Sequence, residues 1–286
     1  MAYTAQITRA NPTLIVFLLD QSGSMADPFG GEQGARKADF VARAVNHALH
    51  DLVIRCTKTE EVRDYYHVAV VGYGRAVSVG LSGALAGFGV APVSAVADNP
   101  ARIESGYRRV PDGAGGFVEM PVRFPVWVHP QAEGGTPMCR ALGRVREIIE
   151  GWLAAHPRGF PPTVLHLTDG ESSDGDPAEA GDAVMSLGTD DGRVLLFNCH
   201  VSASRARKVE YPSEESQCPD GFARTLFRIS STLPKNFLDA AQQLGVPAAD
   251  GSRGFVFNAD PSSVVQFYEI GTSLTGMAPH IWMEEG

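Results

Sequence analysis

The chain has 286 residues, of which 44% are hydrophobic and 20% are charged, a composition that excludes a disordered, collagen-like or disulfide-rich protein. Its formal net charge is −9 at pH 7 and no dense Lys/Arg run interrupts it, which excludes nucleic acid as a natural partner. The length allows one large domain or two small ones, and we predict a single domain over residues 1–286.

The first part of the chain predicts a buried strand, a helix and an edge hairpin. Residues 13–19 are a continuous apolar run rich in β-branched side chains, typical of a strand buried on both faces of a parallel sheet. Residues 37–54 place apolar side chains at helical spacing and predict an amphipathic helix. Tyr66–Tyr73 predicts the next strand, and a turn at Gly74 leads to a strand over 76–81 that pairs with it antiparallel.

The region 82–133 has no clear period and is rich in Gly, Pro and Ala, so we predict an irregular insertion there. Within it, residues 117–128 alternate enough for one or two strands. Pro121 and Pro125 restrict such strands to edge or irregular positions, because proline cannot donate to a sheet ladder.

The second half of the chain predicts further alternation of strands and helices. A helix starts at Thr136-Pro137 and ends before Pro157, and Thr163–Thr168 reads as a second buried strand. The elements expected after it are helix 177–187, strand 193–199, helix 234–244, strand 255–257 and helix 261–274. The pattern predicts an α/β fold in three layers, with a doubly wound, mainly parallel sheet and one antiparallel edge strand.

Two aspartates follow the two buried strands directly, Asp20 after the first and Asp169 after the second. In open α/β sheets, sites form outside the carboxyl ends of the strands where the strand order reverses, so these aspartates meet if their strands are neighbours. The segment after Asp20 adds hydroxyls on alternate residues, Ser22 and Ser24, and Thr136 adds a third. Such hard oxygen ligands favour Mg²⁺, with Mn²⁺ or Ca²⁺ as alternatives.

These residues resemble the metal-ion-dependent adhesion site of von Willebrand factor A (VWA) domains, which has the pattern D-x-S-x-S, then a distant Thr and a distant Asp. The matching segments are Asp20-Gln-Ser22-Gly-Ser24-Met, Gly-Gly-Thr136-Pro-Met and Leu-Thr-Asp169-Gly. The resemblance implies that Ser22 and Ser24 ligate the ion directly. It implies that Thr136 ligates directly or through water, and that Asp20 and Asp169 ligate partly through water.

The resemblance also implies how the chain works and where. In VWA domains an Asp or Glu of a partner protein commonly completes the metal's coordination. The chain is similar to stand-alone bacterial VWA proteins of the tellurite-resistance and stress-response type, which implies a cytoplasmic assembly with kinase, phosphatase or AAA+ ATPase modules. The family can couple metal coordination to movement of its last helix, here residues 261–274.

We predict a metal-dependent protein-binding module and not an enzyme, because the sequence holds no G-x-S-x-G elbow, H-E-x-x-H pair or phosphate-binding G-x-x-x-x-G-K-[ST] loop. The eight histidines are also expected to lie away from the metal motifs. One alternative is a Mg²⁺-dependent hydrolase or phosphatase with Asp20 as nucleophile. Another is a structural subunit whose metal only staples loops together.

The location is predicted as cytoplasmic, without a membrane partner. The first apolar run is too short for a membrane span and leads into Asp20 instead of a cleavage site. The four cysteines have no repeated spacing and are typical of reduced thiols. A zinc site at Cys199, His200 and Cys218 is a less favoured alternative, because paired C-x-x-C spacing is missing.

Two other polar features have alternative interpretations. Glu171, Asp174 and Asp176 form an acidic rim or second cation site, or a polar loop that caps the next helix, which we favour. His166 lies within an apolar strand, and we interpret it as a hydrogen-bonded core residue and not as a ligand.

Overall fold

The structure, a computed structural model, describes residues 3–29, 35–111, 116–202 and 207–273. Eight of the strands in these ranges form one mixed sheet, the main sheet. The strands are β1 Thr13–Asp20, β2 Thr57–Lys58, β3 Glu61–Val62, β4 Tyr66–Tyr73, β5 Val77–Val79, β6 Ala91–Pro92, β7 Arg102–Pro111, β8 Phe117–Val126, β9 Thr163–Thr168, β10 Gly188–Thr189, β11 Gly192–Arg193, β12 Leu195–Val201, β13 Val209–Glu210 and β14 Phe255–Ala259. The helices are α1 Lys37–Cys56, α2 Val93–Asp98, α3 Met138–Ala155, α4 Ala178–Ser186, α5 Gly221–Arg228, α6 Lys235–Gln243 and α7 Pro261–Thr272.

The main sheet has the strand order β13-β14-β12-β9-β1-β4-β5, and β6 also pairs with β4. Every pairing among the five central strands is parallel. β5 and β6 at one edge and β13 at the other are antiparallel. The predicted α/β class with a mainly parallel sheet is therefore confirmed, and antiparallel strands lie at both edges instead of one, because the two-residue β13 carries almost no sequence signal.

Strand β1 shows why the sheet lies between two helical layers. All eight of its residues are buried, and their side chains alternate between the two faces. Ile15 and Phe17 join the core built with α1, α6 and α7, whereas Leu14 and Val16 join the core built with α3, α4 and α5. Each such buried side chain contributes about 1.5–3 kcal/mol to folding. A strand that is apolar on both faces is stable only in such a three-layer arrangement.

The region 82–133 is more regular than we expected. It contains β6, α2 and a long two-stranded ribbon, β7 with β8, which pairs outside the main sheet. The predicted strand at 117–128 corresponds to β8, and its prolines are tolerated because each strand of a ribbon keeps one free edge. The ribbon exposes large apolar side chains, namely Ile103, Tyr107, Phe117, Val118, Met120 and Val122. Because neither face of the ribbon is fully buried, the sequence has no clean period there.

Other differences concern short elements and the last helix. α5 was not predicted, because it is a single short helix after a polar connection. α7 ends at Thr272, and residue 274 of the predicted helix 261–274 lies outside the described residues. Among the helices that the structure describes, none is both long and apolar enough to cross a membrane. The single-domain organisation over residues 1–286 stays a prediction.

Candidate metal centre

The candidate site lies where the strand order of the main sheet reverses. The chain runs from β1 to β4 on one side, and β9 then pairs in parallel with β1 on its other side. Asp20 is the last residue of β1, and Asp169 directly follows β9. The two strands are therefore neighbours, as the predicted meeting of the aspartates requires.

Asp20 is a buried carboxylate held by neutral donors. Its side chain is 2% exposed, its Oδ1 accepts the Ser22 backbone N–H at 2.8 Å, and its Oδ2 accepts the Thr168 hydroxyl at 2.8 Å. Burial raises the pKa of Asp20 to about 6, and the hydrogen bonds from Ser22 and Thr168 oppose this rise. No ion pair to Asp20 is found within the described residues, so a bound cation would compensate a charge that the fold leaves unpaired.

The two serines converge on Asp169. The hydroxyl oxygens of Ser22 and Ser24 lie 3.1 Å apart. Asp169 Oδ1 accepts from the Ser24 hydroxyl at 2.7 Å and from the Ser22 hydroxyl at 3.5 Å. Three oxygens from two loops, 145–147 residues apart along the chain, are thus brought to one point.

The loop that carries Thr136 is held against both of the other loops. The Gly23 N–H donates to the Gly134 carbonyl at 2.9 Å, and the Ser173 N–H donates to the Thr136 carbonyl at 2.9 Å. The Thr136 N–H in turn donates to the Ser173 hydroxyl at 3.0 Å. Gly134 has φ +84° and its Cα faces the Arg75 backbone, where a Cβ would lie 2.6 Å away. The loop therefore approaches its neighbours closely at Gly134, and ligation by Thr136 stays a prediction.

These oxygens fit a small divalent ion. Neighbouring ligand oxygens of octahedral Mg²⁺ lie about 3.0 Å apart, given metal–oxygen distances near 2.1 Å. The observed separations of 2.7, 3.1 and 3.5 Å bracket that spacing. The described residues contain no group of three or more His, Cys, Asp or Glu side chains arranged to hold a metal. The candidate set differs from such groups because it has only two carboxylates, with hydroxyls as the other ligands.

Two residues that sequence reasoning missed complete the surroundings of the site. Thr168 holds Asp20, as described above, and Lys37 places its ammonium 2.8 Å from Asp169 Oδ2. Lys37 is the first residue of α1, where acidic side chains are favoured by the helix dipole. A lysine at this unfavourable position is the only sign in the sequence that Lys37 has a special role. The sequence alone does not show which group the lysine faces.

His200 lies closer to the site than we expected, whereas His166 lies in the core. His166 is fully buried, with Nε2 2.6 Å from the Tyr73 hydroxyl and Nδ1 2.7 Å from Asn198 Oδ1. Its interpretation as a hydrogen-bonded core residue is confirmed. Burial lowers the pKa of His200 to about 4, opposed by a hydrogen bond with the Asp169 backbone, so this second ring is neutral beside the site.

The acidic loop after Asp169 serves the helices around it. Asp174 accepts the backbone N–H groups of Cys139 and Arg140 at 3.0 and 3.1 Å, which caps α3. Asp176 accepts the Ala178 N–H at 3.0 Å at the start of α4. The capping interpretation holds for Asp176, and Asp174 caps the preceding helix instead, because the loop folds back over it.

The zinc alternative has no support in the structure. Cys199 belongs to the core on one face of the sheet and Cys218 to the core on the other, so the two thiols cannot share one ion with His200. All four cysteines are free thiols, and three of them are buried.

No protein-family model matches the chain, and no curated protein matches it. Among solved structures, the pilus adhesin SpaC of Lactobacillus rhamnosus GG is 12% identical, with a TM-score of 0.40, over 67% of this chain and 25% of that one. The manganese-loaded TRAP protein of Plasmodium vivax is 11% identical, with a TM-score of 0.35, over 66% and 57%. The vWF domain of the pilus tip protein Mfa5 of Porphyromonas gingivalis is 14% identical, with a TM-score of 0.29, over 57% and 39%. The chain spans less than two thirds of the length of each of these proteins. Structural similarity with such low TM-scores gives no information about the function of the chain.

Proposed function

We propose that the chain is a divalent-metal-dependent protein-binding module of the VWA type. Its metal would be held by Asp20, Ser22, Ser24, Thr136 and Asp169. The observation that carries this proposal is the convergence of Ser22, Ser24 and Asp169 oxygens within 2.7–3.5 Å of one another at the strand switch point.

The neutral ligands explain why binding is proposed instead of chemistry. When bound, Mg²⁺ or Mn²⁺ supplies positive charge that an Asp or Glu carboxylate of a partner protein can coordinate. Ser22 and Ser24 orient their hydroxyls without cancelling that charge, and both oxygens of Asp20 accept hydrogen bonds from the protein. The hydrolase alternative has less support, because a nucleophile 2% exposed with both oxygens engaged cannot reach a substrate. The chain is accordingly proposed to be no enzyme.

The proposed setting is a cytoplasmic assembly of the bacterial stress-response or tellurite-resistance type, with a kinase, phosphatase or AAA+ ATPase module as partner. The resemblance of the motifs supports this setting, and four unpaired thiols agree with a reducing compartment. Neither nucleic acid nor membrane is proposed as a partner.

The test is affinity capture by the wild-type chain in Mg²⁺ and in excess chelator. Proteins retained in Mg²⁺ should be released by chelator and lost from Ser22→Ala, because the variant lacks one ligand hydroxyl. Ser216→Ala is the matched control, since its hydroxyl is exposed and contacts only Glu214 in the described structure. Partner capture that is equal in Mg²⁺ and in chelator would refute the proposal.

A further inference from the structure

Lys37 is a buried cation in contact with the candidate metal centre. Its side chain is 8% exposed, and its ammonium lies 2.8 Å from Asp169 Oδ2, 3.3 Å from Asp27 Oδ2 and 3.4 Å from the Ser24 carbonyl oxygen. Burial of an ammonium is unfavourable, and so is its placement at the positive end of a helix. Such a position persists only where a close opposite charge compensates it.

The opposite charge is the Asp169 carboxylate, whose two oxygens have different partners. Oδ2 faces the Lys37 ammonium, and Oδ1 faces the Ser22 and Ser24 hydroxyls. The lysine therefore sets the rotation of the carboxylate, so that one oxygen is presented to the metal position. Asp27 is 62% exposed, and water screens its share of the ammonium charge.

The charges at the centre decide what it can attract. Asp20 and Asp169 bring two negative charges, and Lys37 returns one positive charge, so the buried set has a net charge of −1. With a divalent ion the same set becomes +1, whereas without Lys37 it would be neutral. A centre that keeps a net positive charge after the divalent ion has bound attracts an anionic group. It also holds the ion less tightly than the same centre would without the charge of Lys37.

We infer that Lys37 is a built-in counter-cation of the centre, which weakens its hold on the divalent ion and strengthens the attraction of the loaded site for a carboxylate. The inference rests on the proposed metal-dependent function. It assigns Lys37 a positioning role toward Asp169. The site is then positively charged only when the divalent ion is bound.

The test measures Mn²⁺ binding to the whole chain by electron paramagnetic resonance of free Mn²⁺ at fixed ionic strength. Lys37→Gln keeps a donor for Asp169 Oδ2 and removes the charge, so its Mn²⁺ dissociation constant should fall about tenfold. Lys235→Gln is the matched control, because the same substitution is made on an 86% exposed side chain of α6. Its Mn²⁺ affinity should stay within about twofold of wild type.

A second measurement follows acetate on the Mn²⁺-loaded proteins by water-proton relaxation. Acetate should displace bound water from the wild type, and Lys37→Gln should need a several-fold higher concentration for the same effect. Thermal unfolding checks that each variant is folded, and Lys37→Met replaces Lys37→Gln if the amide variant is not.

The outcomes distinguish a failure of the inference about Lys37 from a failure of the proposed metal-dependent function. If the wild type binds no Mn²⁺, the proposed function fails and the inference with it. If the wild type binds Mn²⁺ but the Lys37 variants bind it no tighter than Lys235→Gln, the metal centre stands and the role of Lys37 is refuted. Unchanged acetate binding in the Lys37 variants refutes the role of Lys37 in attracting a carboxylate.

Discussion

At the residue scale, a neutral histidine lies in the strand beside Asp20. Asn198 uses its Nδ2 to donate to the Ile229 carbonyl and the Ser230 hydroxyl, so its Oδ1 must accept from His166 Nδ1. His166 Nε2 is then the acceptor for the Tyr73 hydroxyl. Both ring nitrogens are satisfied only in this uncharged tautomer, and burial lowers the pKa of His166 to about 4.

This pKa predicts a stability that depends on pH. An unfolded histidine has a pKa near 6.5, so as the pH falls below that value the unfolded state takes up the proton first. The contribution of His166 is present above pH 6.5, and about 3 kcal/mol of it should be lost by pH 4. Urea unfolding of wild type and His166→Gln at several pH values measures this. The variant is less stable at pH 7, and parallel pH profiles of the two proteins would contradict the prediction.

The proposed metal ligands and the residues that hold them differ in how readily a sequence reveals them. Asp20, Ser22 and Ser24 lie within five residues, so their pattern can be read directly. Thr168 and Lys37 act on carboxylates 148 and 132 residues away. Their side chains are ordinary ones for a strand end and a helix start, and only the folded chain shows which carboxylate each one faces.

At the element scale, the loop before α3 depends on two close backbone approaches. The Glu133 N–H donates to the Gln21 carbonyl at 2.7 Å, and a Cβ at Gly74 would lie 2.5 Å from both the Gln21 and Glu133 carbonyl oxygens. Gly134 meets the Arg75 backbone in the same place. The turn after β4 therefore supports the loop that presents Thr136.

Gly134→Ala should disrupt this support. The substitution combines an unfavourable positive φ with a backbone clash at 2.6 Å, whereas Gly87 has nearly the same φ, +83°, and nothing within 4 Å of an added Cβ. Gly87→Ala should cost about 1 kcal/mol of unfolding free energy, and Gly134→Ala at least about 2 kcal/mol more. Chemical denaturation measures both, and Mn²⁺ affinity should fall only for Gly134→Ala. Equal destabilisation by the two variants would show that the loop can move away.

Long buried elements are predictable because their environment imposes one pattern. β4 and β9 have the predicted bounds, since nearly all of their residues are buried between the helical layers and most are apolar. The β7–β8 ribbon lacks such a pattern, because it pairs outside the sheet and leaves apolar side chains exposed. Its strand content is set by its cross-strand pairing and not by a buried face.

At the scale of the whole molecule, the proposed metal binding would be linked to folding. The candidate site joins loops after β1 and β9 with the loop before α3, so unfolding would separate the proposed ligands and the ion would bind only the folded chain. A divalent ion at a free concentration 100 times its dissociation constant should add about 2.7 kcal/mol to the free energy of unfolding.

Thermal unfolding in Mg²⁺ and in chelator measures this linkage. The midpoint should rise in Mg²⁺ for the wild type and for Ser216→Ala, and it should not rise for Ser24→Ala. A midpoint that is the same in Mg²⁺ and in chelator would argue against any metal centre. A rise without any metal-dependent partner would instead favour the structural alternative, in which the ion only staples the loops together.

The sequence by itself determined the α/β alternation, the buried strands and the grouping of Asp20, Ser22 and Ser24, because each depends on local periodicity or short spacing. Only the tertiary structure decided that β1 and β9 are neighbours, that antiparallel strands close both edges, and that Lys37 faces Asp169. These features depend on contacts between segments more than a hundred residues apart, or on strands of two or three residues. No local pattern encodes such a contact, because it arises only when the helical layers pack on the sheet.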